Sequence, residues 1–338
     1  MKKQYINFLK FISIILVIFI HCISKAWNAS DVNSNMFKVL TFIDSLARVC
    51  VPIFAMCSGA IFLNRDDSIK KIIFKYILKI YIIFIIFNFS YKLVDLFIYK
   101  DGILNMNILL SFLKDSFLLR SIYHLWYLKI VIIMYAFIPL FKLLINKNKY
   151  INHIILLVLF ITFTILPMFI KESHFIYICG SFGYLLYFYL GFYLDKYKFK
   201  FENIIFCILS IISLIYTYIN TINLCIKLNM PNEEYLGYQR INILLMAVFV
   251  FILAKHFKYD KISKFLDIEA IHNFNIYLFH GFVIGGLQYL KIINVYKYNN
   301  IIMLFINVIL VYICCFIISY ILKKEKKVAS RILSKSNT

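Results

Sequence analysis

The stretch YINFLKFISIILVIFIHCIS, Tyr5 to Ser24, decides the fold class. At about 1.5 Å per residue it reaches about 30 Å as a helix, the thickness of a bilayer's hydrocarbon core. Lys10 is its one cation and His21 its one histidine. They stand eleven positions apart, which is about 1100° of helical rotation, so both point the same way with about 16.5 Å between them. Asn7 lies near that face, and Ser13 and Ser24 flank it. A polar seam therefore runs along a helix that is otherwise apolar, and polar groups at bilayer depth mark function by default.

The rest of the chain repeats the apolar theme. Of 338 residues, 63% are hydrophobic and 16% charged, with a mean hydropathy of +0.83. A soluble domain is about 45–50% apolar and about 25% charged, so a water-soluble globule and a disordered chain are both excluded. With 9 Gly and 4 Pro there is little to punctuate the turns of a β-barrel. Apolar runs near the required length fall at 6–26, 38–63, 72–98, 122–145, 151–170, 175–194, 203–220, 239–256, 273–291 and 299–322. The expectation is an all-α integral membrane protein of about ten transmembrane helices. It comprises one membrane domain, 1–322, and a short basic tail, 323–338, with no further domain appended.

The net charge of +21 belongs to this topology. With both termini cytoplasmic, the inner segments collect 23 Lys and Arg against 11 outside. That bias follows the positive-inside rule and makes anionic lipid the expected partner of the inner loops, with nucleic acid excluded. Lys2 and Lys3 before an apolar run also resemble a signal peptide. Lys10, His21 and the lack of an A-x-A exit favour a permanent helix. The 8 cysteines include no C-x-x-C pair, and most lie within apolar runs as small hydrophobes.

Further polar residues interrupt the spans. In DSLARVCVPIFAMCSGAIFL, Arg48 cannot shed its charge and needs an anion, a water-filled cavity or helix-end carbonyls. Asp44, one turn away, is a simple structural partner. Pro52 breaks the hydrogen-bond ladder, and Ser58-Gly59 offers a surface for close helix approach. HLWYL, opening at His124, reads either as an interfacial aromatic belt with Trp126 or as part of a site. His280, in NFNIYLFHGF, is a lone membrane histidine near the inner side. Lys10 alone could snorkel to the inner headgroups. The histidines are too scattered along the sequence for a metal cluster, so no metal is expected. Nor does any nucleotide loop, H-E-x-x-H or nucleophile elbow occur.

Together these residues resemble the acyltransferase 3 family of membrane proteins that O-acylate bacterial surface sugars. Its first-helix hallmark is Arg, ten residues, then His, and this chain has Lys10 and His21. Arg48 with VPIFAMCSG resembles its R-x-x-V-P-L-F-F-x-x-S-G, His124 to Leu128 its H-L-W-F-L, and IYLFH ending at His280 its I-Y-L-x-H. Asn7 stands where the family commonly has Asp, and Gly281 follows His280 where it often has Pro. The resemblance implies a multi-pass enzyme of the cell membrane that takes an acyl group from cytoplasmic acyl-CoA, most often acetyl-CoA, to a hydroxyl of a surface or lipid-linked saccharide. It implies His21 as general base or transient acyl carrier and Arg48 as stabiliser of the developing oxyanion. Lys10, Ser58 and His280 fall on the donor side, and His124 and Trp126 by the acceptor. The rival class is a transporter or flippase of a lipid-linked saccharide, which would show broken helices in two matching halves.

Overall fold

The computed structural model describes residues 3–99, 105–145, 148–170, 172–197 and 202–336. Lys2, Lys147, Lys198 and Lys200 of the inner charge count lie outside the described residues, as do Lys100 and Lys171 of the outer count. The chain is an all-α integral membrane protein: 84% of it is helical, and no strand occurs among the described residues. The main helices are α1 Gln4–Ala29, α2 Asn35–Ala47, α3 Cys50–Phe62, α4 Leu78–Tyr99, α5 Met106–Phe117, α6 Trp126–Ala136 and α7 Ile138–Leu144. They continue with α8 Lys149–Phe160, α9 Ser173–Phe182, α10 Tyr184–Lys196, α11 Glu202–Leu228, α12 Ile241–His256, α13 Ser263–Tyr289 and α14 Ile301–Ser336.

Eight stretches among the described residues are long and apolar enough to cross a bilayer, and a ninth arises if α6 and α7, bent by 41°, form one span. The bend sits where Pro139 enters a helix and removes a backbone donor. The expected ninth span, 273–291, differs more. Its helix starts ten positions earlier, at Ser263, and α13 stays outside the apolar set because His272, Asn273, Asn275 and His280 interrupt its apolar run. The extension forms because α1 satisfies it: Gln4 and Asn7 each donate a side-chain amide hydrogen to Asp267 Oδ1, at 3.2 and 3.1 Å. Helix α5 occupies a stretch that hydropathy leaves as a loop, because it is too short and amphipathic to span. Helix α14 runs on to Ser336, into the stretch 323–338 expected as a basic tail, whose last two residues lie outside the described residues.

The chain divides into two compact units, the first comprising Met1–Ala47, Ile222–Asn232 and Phe257–Thr338. In it α1 packs against α2, α13 and α14. Polar groups in this apolar setting pair with one another: Trp27 Nε1 donates to Thr41 Oγ1 at 2.8 Å, and the Tyr298 hydroxyl donates to the Cys22 carbonyl at 3.1 Å. The second unit comprises Arg48–Thr221 and Glu233–His256. Its centre is the crossing of α3 and α10, where backbones touch. A Cβ on Gly59 would stand 1.6 Å from the Phe188 carbonyl oxygen, and one on Gly191 would stand 1.9 Å from that of Met56. Where lipid tails are as apolar as the side chains, such small-residue contact holds helices together by dispersion.

Candidate functional site

The first unit brings Lys10, His21 and His280 to the packed faces of α1 and α13. The His21 and His280 ring centroids are 5.0 Å apart with planes at 45°. This corrects the expectation that the histidines are scattered: far apart in sequence, these two meet in the fold. His280 is fully buried, and its Nδ1 lies 2.7 Å from the Tyr277 carbonyl oxygen. A carbonyl only accepts, so Nδ1 carries a proton. Two facing imidazoles are also a pair of donors that a metal could use.

At the other end of the seam, Asn273 donates from one amide nitrogen to the Lys10 carbonyl at 3.0 Å and to Glu269 Oε1 at 2.9 Å. Glu269 is fully buried, and its Oε2 has no hydrogen-bond partner among the described residues. Sequence reasoning missed Glu269, because it lies in the polar turns of α13 that precede the apolar run. Asn273 links the Glu269 carboxyl to the Lys10 backbone.

The second unit holds Arg48, His124, Trp126 and Ser58. Pro52 removes the donor that would close on the carbonyl of residue 48, four positions before it, and the helix breaks there, with α2 ending at Ala47 and α3 starting at Cys50. Arg48 thus sits at a break, its side chain 8% exposed. Its Nη1 pairs with Glu233 Oε2 at 3.4 Å, and its guanidinium carbon lies 5.7 Å from the Tyr238 ring centroid. Trp126 is 5.9 Å from the same Tyr238 ring and 5.9 Å from that of Tyr184. The Tyr187 hydroxyl donates to the Tyr238 carbonyl, anchoring this aromatic wall. A cation on an aromatic face with a half-exposed carboxylate beside it can receive an anionic or carbonyl oxygen, since Glu233 can turn to solvent.

His124 is buried, its ring edge-on to Tyr91 at 5.2 Å. The preceding Tyr123 takes φ +48°, a left-handed turn uncommon for a side chain of its size. Ser58 donates its hydroxyl to the Phe54 carbonyl at 3.0 Å, a bond within its own helix that engages its proton. Glu233 and Tyr238 were also missed by sequence reasoning. The only signal was the polar, aromatic run NEEYLGYQR, 232–240, between two apolar spans.

No curated protein and no solved structure matches this chain. One family does, that described as "Acyltransferase domain", and the match runs over residues 3–323, nearly the whole chain. The first-helix cation and histidine, the Arg48 break, the His124 turn and His280 all fall inside it. The chain belongs to the acyltransferase 3 family and is a multi-pass membrane acyltransferase.

Proposed function

We propose that this protein transfers an acyl group, acetyl above all, from cytoplasmic acyl-CoA to a hydroxyl of a cell-surface or lipid-linked saccharide. It would act in the cell membrane with both termini inside. The observation that carries the reading is the apposition of His21 and His280 on packed helices. A neutral His280 whose Nδ1 proton is committed to Tyr277 offers a lone pair that can hold a His21 N–H, leaving the other His21 nitrogen as a base.

His21 takes the acceptor hydroxyl's proton as that oxygen attacks the thioester carbonyl. The C–S bond breaks and the proton leaves on the CoA sulfur. In the covalent variant the His21 nitrogen attacks first, CoA departs as the thiol, and the acceptor then takes the acyl group from the ring. Arg48 is the permanent cation proposed for the thioester carbonyl oxygen. Lys10 is proposed for the CoA phosphates. Trp126 and His124 are proposed for the acceptor sugar, with Ser58 on the donor side.

The test is purified protein in liposomes with labelled acetyl-CoA and a saccharide acceptor. Label in the saccharide together with an equal release of free CoA thiol is the expected result. Movement of unmodified saccharide across the liposome with no CoA release would replace the transferase reading with the transporter one.

A further inference from the structure

A groove of about 560 Å³ opens on the second unit, within the range of about 300–1,000 Å³ typical of small-molecule sites. Its walls are apolar, with Met168, Ile176, Ile212 and Leu245 among them. Several face outward, Ile212 being 55% exposed and Met168 51%, so the groove is open along the lipid-facing side of spanning helices. Its mouth is polar. Arg240 Nη2 pairs with Glu234 Oε1 at 2.8 Å, the Arg240 guanidinium lies 5.6 Å from the Tyr235 ring centroid, and Gln239 Nε2 donates to the Gly180 carbonyl at 3.3 Å. The Tyr216 ring meets that of Tyr235 edge-on at 5.9 Å.

This lining fits an amphiphile, with a chain between the helices and a head at the mouth. Chain entry alone selects nothing, because a tail leaving the bilayer for an apolar wall gains no hydrophobic energy. Selection must come from the head. A phosphate head is a poor match, since it only accepts hydrogen bonds and would meet the Glu234 carboxylate beside the cation. A sugar is a good match: its hydroxyls donate to Glu234 and accept from Arg240 and Gln239, and its C–H face suits the aromatic rings of Tyr216 and Tyr235. The mouth and the Arg48 centre share one loop. On the loop 233–240, Glu233 and Tyr238 face Arg48, while Glu234, Gly237, Gln239 and Arg240 line the groove.

We propose that this groove binds the hydrocarbon tail of a lipid-linked saccharide and that its mouth holds the sugar, delivering the acceptor beside Arg48. The proposal rests on the transferase reading and narrows it to a membrane-borne acceptor.

Gly180 supplies the means of testing it. It lines the groove, and a Cβ there would meet nothing within 4 Å, so Gly180→Leu fills the groove without pressing on the backbone. Ile212→Trp fills it from the opposite wall. The probe is a hexosyl-diacylglycerol with a diazirine in one acyl chain, present at trace level in phosphatidylcholine vesicles that hold the protein. Expected are crosslinks in 164–180 and 212–245 that excess unlabelled hexosyl-diacylglycerol displaces and equal phosphatidylglycerol does not. Both variants should lose most of this labelling. Equal displacement by phosphatidylglycerol, or unchanged labelling in both variants, overturns the proposal. Labelling decides the groove whether or not acyl transfer occurs. A separate acetyl-CoA assay on the same vesicles judges the transferase reading.

Discussion

His21 and His280 stand ring to ring, 5.0 Å between centroids, on helices from opposite ends of the sequence. The contact gives the first-helix histidine a partner whose own proton is committed to a backbone carbonyl. Under the proposed reaction each imidazole has a distinct task. The His280 Nδ1 proton is held by the Tyr277 carbonyl.

If His21 moves the proton or the acyl group, His21→Ala should lower acyl transfer by about 10²–10⁴-fold while protein in the membrane stays constant. If His280 orients His21 rather than reacting, His280→Ala should cost less. The double variant should be little worse than His21→Ala, since residues acting as a unit are non-additive. Near-normal transfer by His21→Ala would end the assignment. Strong chelators should leave the wild-type rate unchanged, and a chelator-sensitive rate restored by one divalent metal would recast the two rings as ligands.

Arg48 separates charge from geometry. Arg48→Ala should reduce transfer by about 10²–10³-fold, the usual loss on removing one oxyanion partner. Arg48→Lys should fall between, keeping the charge and losing the planar fork. Glu233→Gln should retain activity if Glu233 only balances the guanidinium at rest. A Glu233→Gln loss as deep as that of Arg48→Ala would mean that the pair is required intact. Rates from labelled acetyl-CoA, normalised to membrane protein, decide between these outcomes.

The membrane class was legible in the sequence because burying about twenty apolar residues in lipid is a local property. The Arg48 break was legible too, since Pro52 acts on a carbonyl four positions away. What escaped reading was non-local or amphipathic. Glu233 meets Arg48 from 185 positions on, and no pattern around Arg48 announces it. The early turns of α13 look like a loop by hydropathy. They become helix because Gln4 and Asn7 bond Asp267. Helix α5 is likewise visible only once Asn88, buried on α4, is seen to donate to the Ser116 hydroxyl at 3.0 Å. Family motifs located His21 and His280 singly, and only the packing of α1 on α13 joined them.

Two glycines of the second unit give opposite expectations for one substitution. Gly59→Ala puts a methyl group against the Phe188 backbone and must part α3 from α10, at a cost of about 1–3 kcal/mol. Gly180→Ala enters open space and should leave stability unchanged or improve it slightly. Thermal unfolding in one detergent compares them, and equal midpoints would contradict the backbone contact.

Asp115, on α5, gives a pH test outside the spanning helices. Lys92 Nζ pairs with Asp115 Oδ2 at 2.6 Å and Arg120 Nη1 with Oδ1 at 3.2 Å. The hydrogen bond from Lys92, first among these interactions, holds the Asp115 carboxyl below the usual carboxylate value, and Arg120 adds to it. In the unfolded chain the group titrates near 3.9. A depressed folded value means that the unfolded state takes up the proton first as pH falls. The stabilisation is therefore complete well above about pH 4 and is lost as pH drops through the lower folded value. Asp115 is 28% exposed and Arg120 66%, so solvent screens the cluster and the stabilisation is at the upper end of a surface pair's, about 1 kcal/mol. Asp115→Asn should accordingly unfold at a lower temperature than wild type at pH 7, and the gap should close towards pH 3. The measurement is paired thermal unfolding across that range in one detergent. A gap that stays constant with pH would show that Asp115 contributes through shape and hydrogen bonding rather than through its charge.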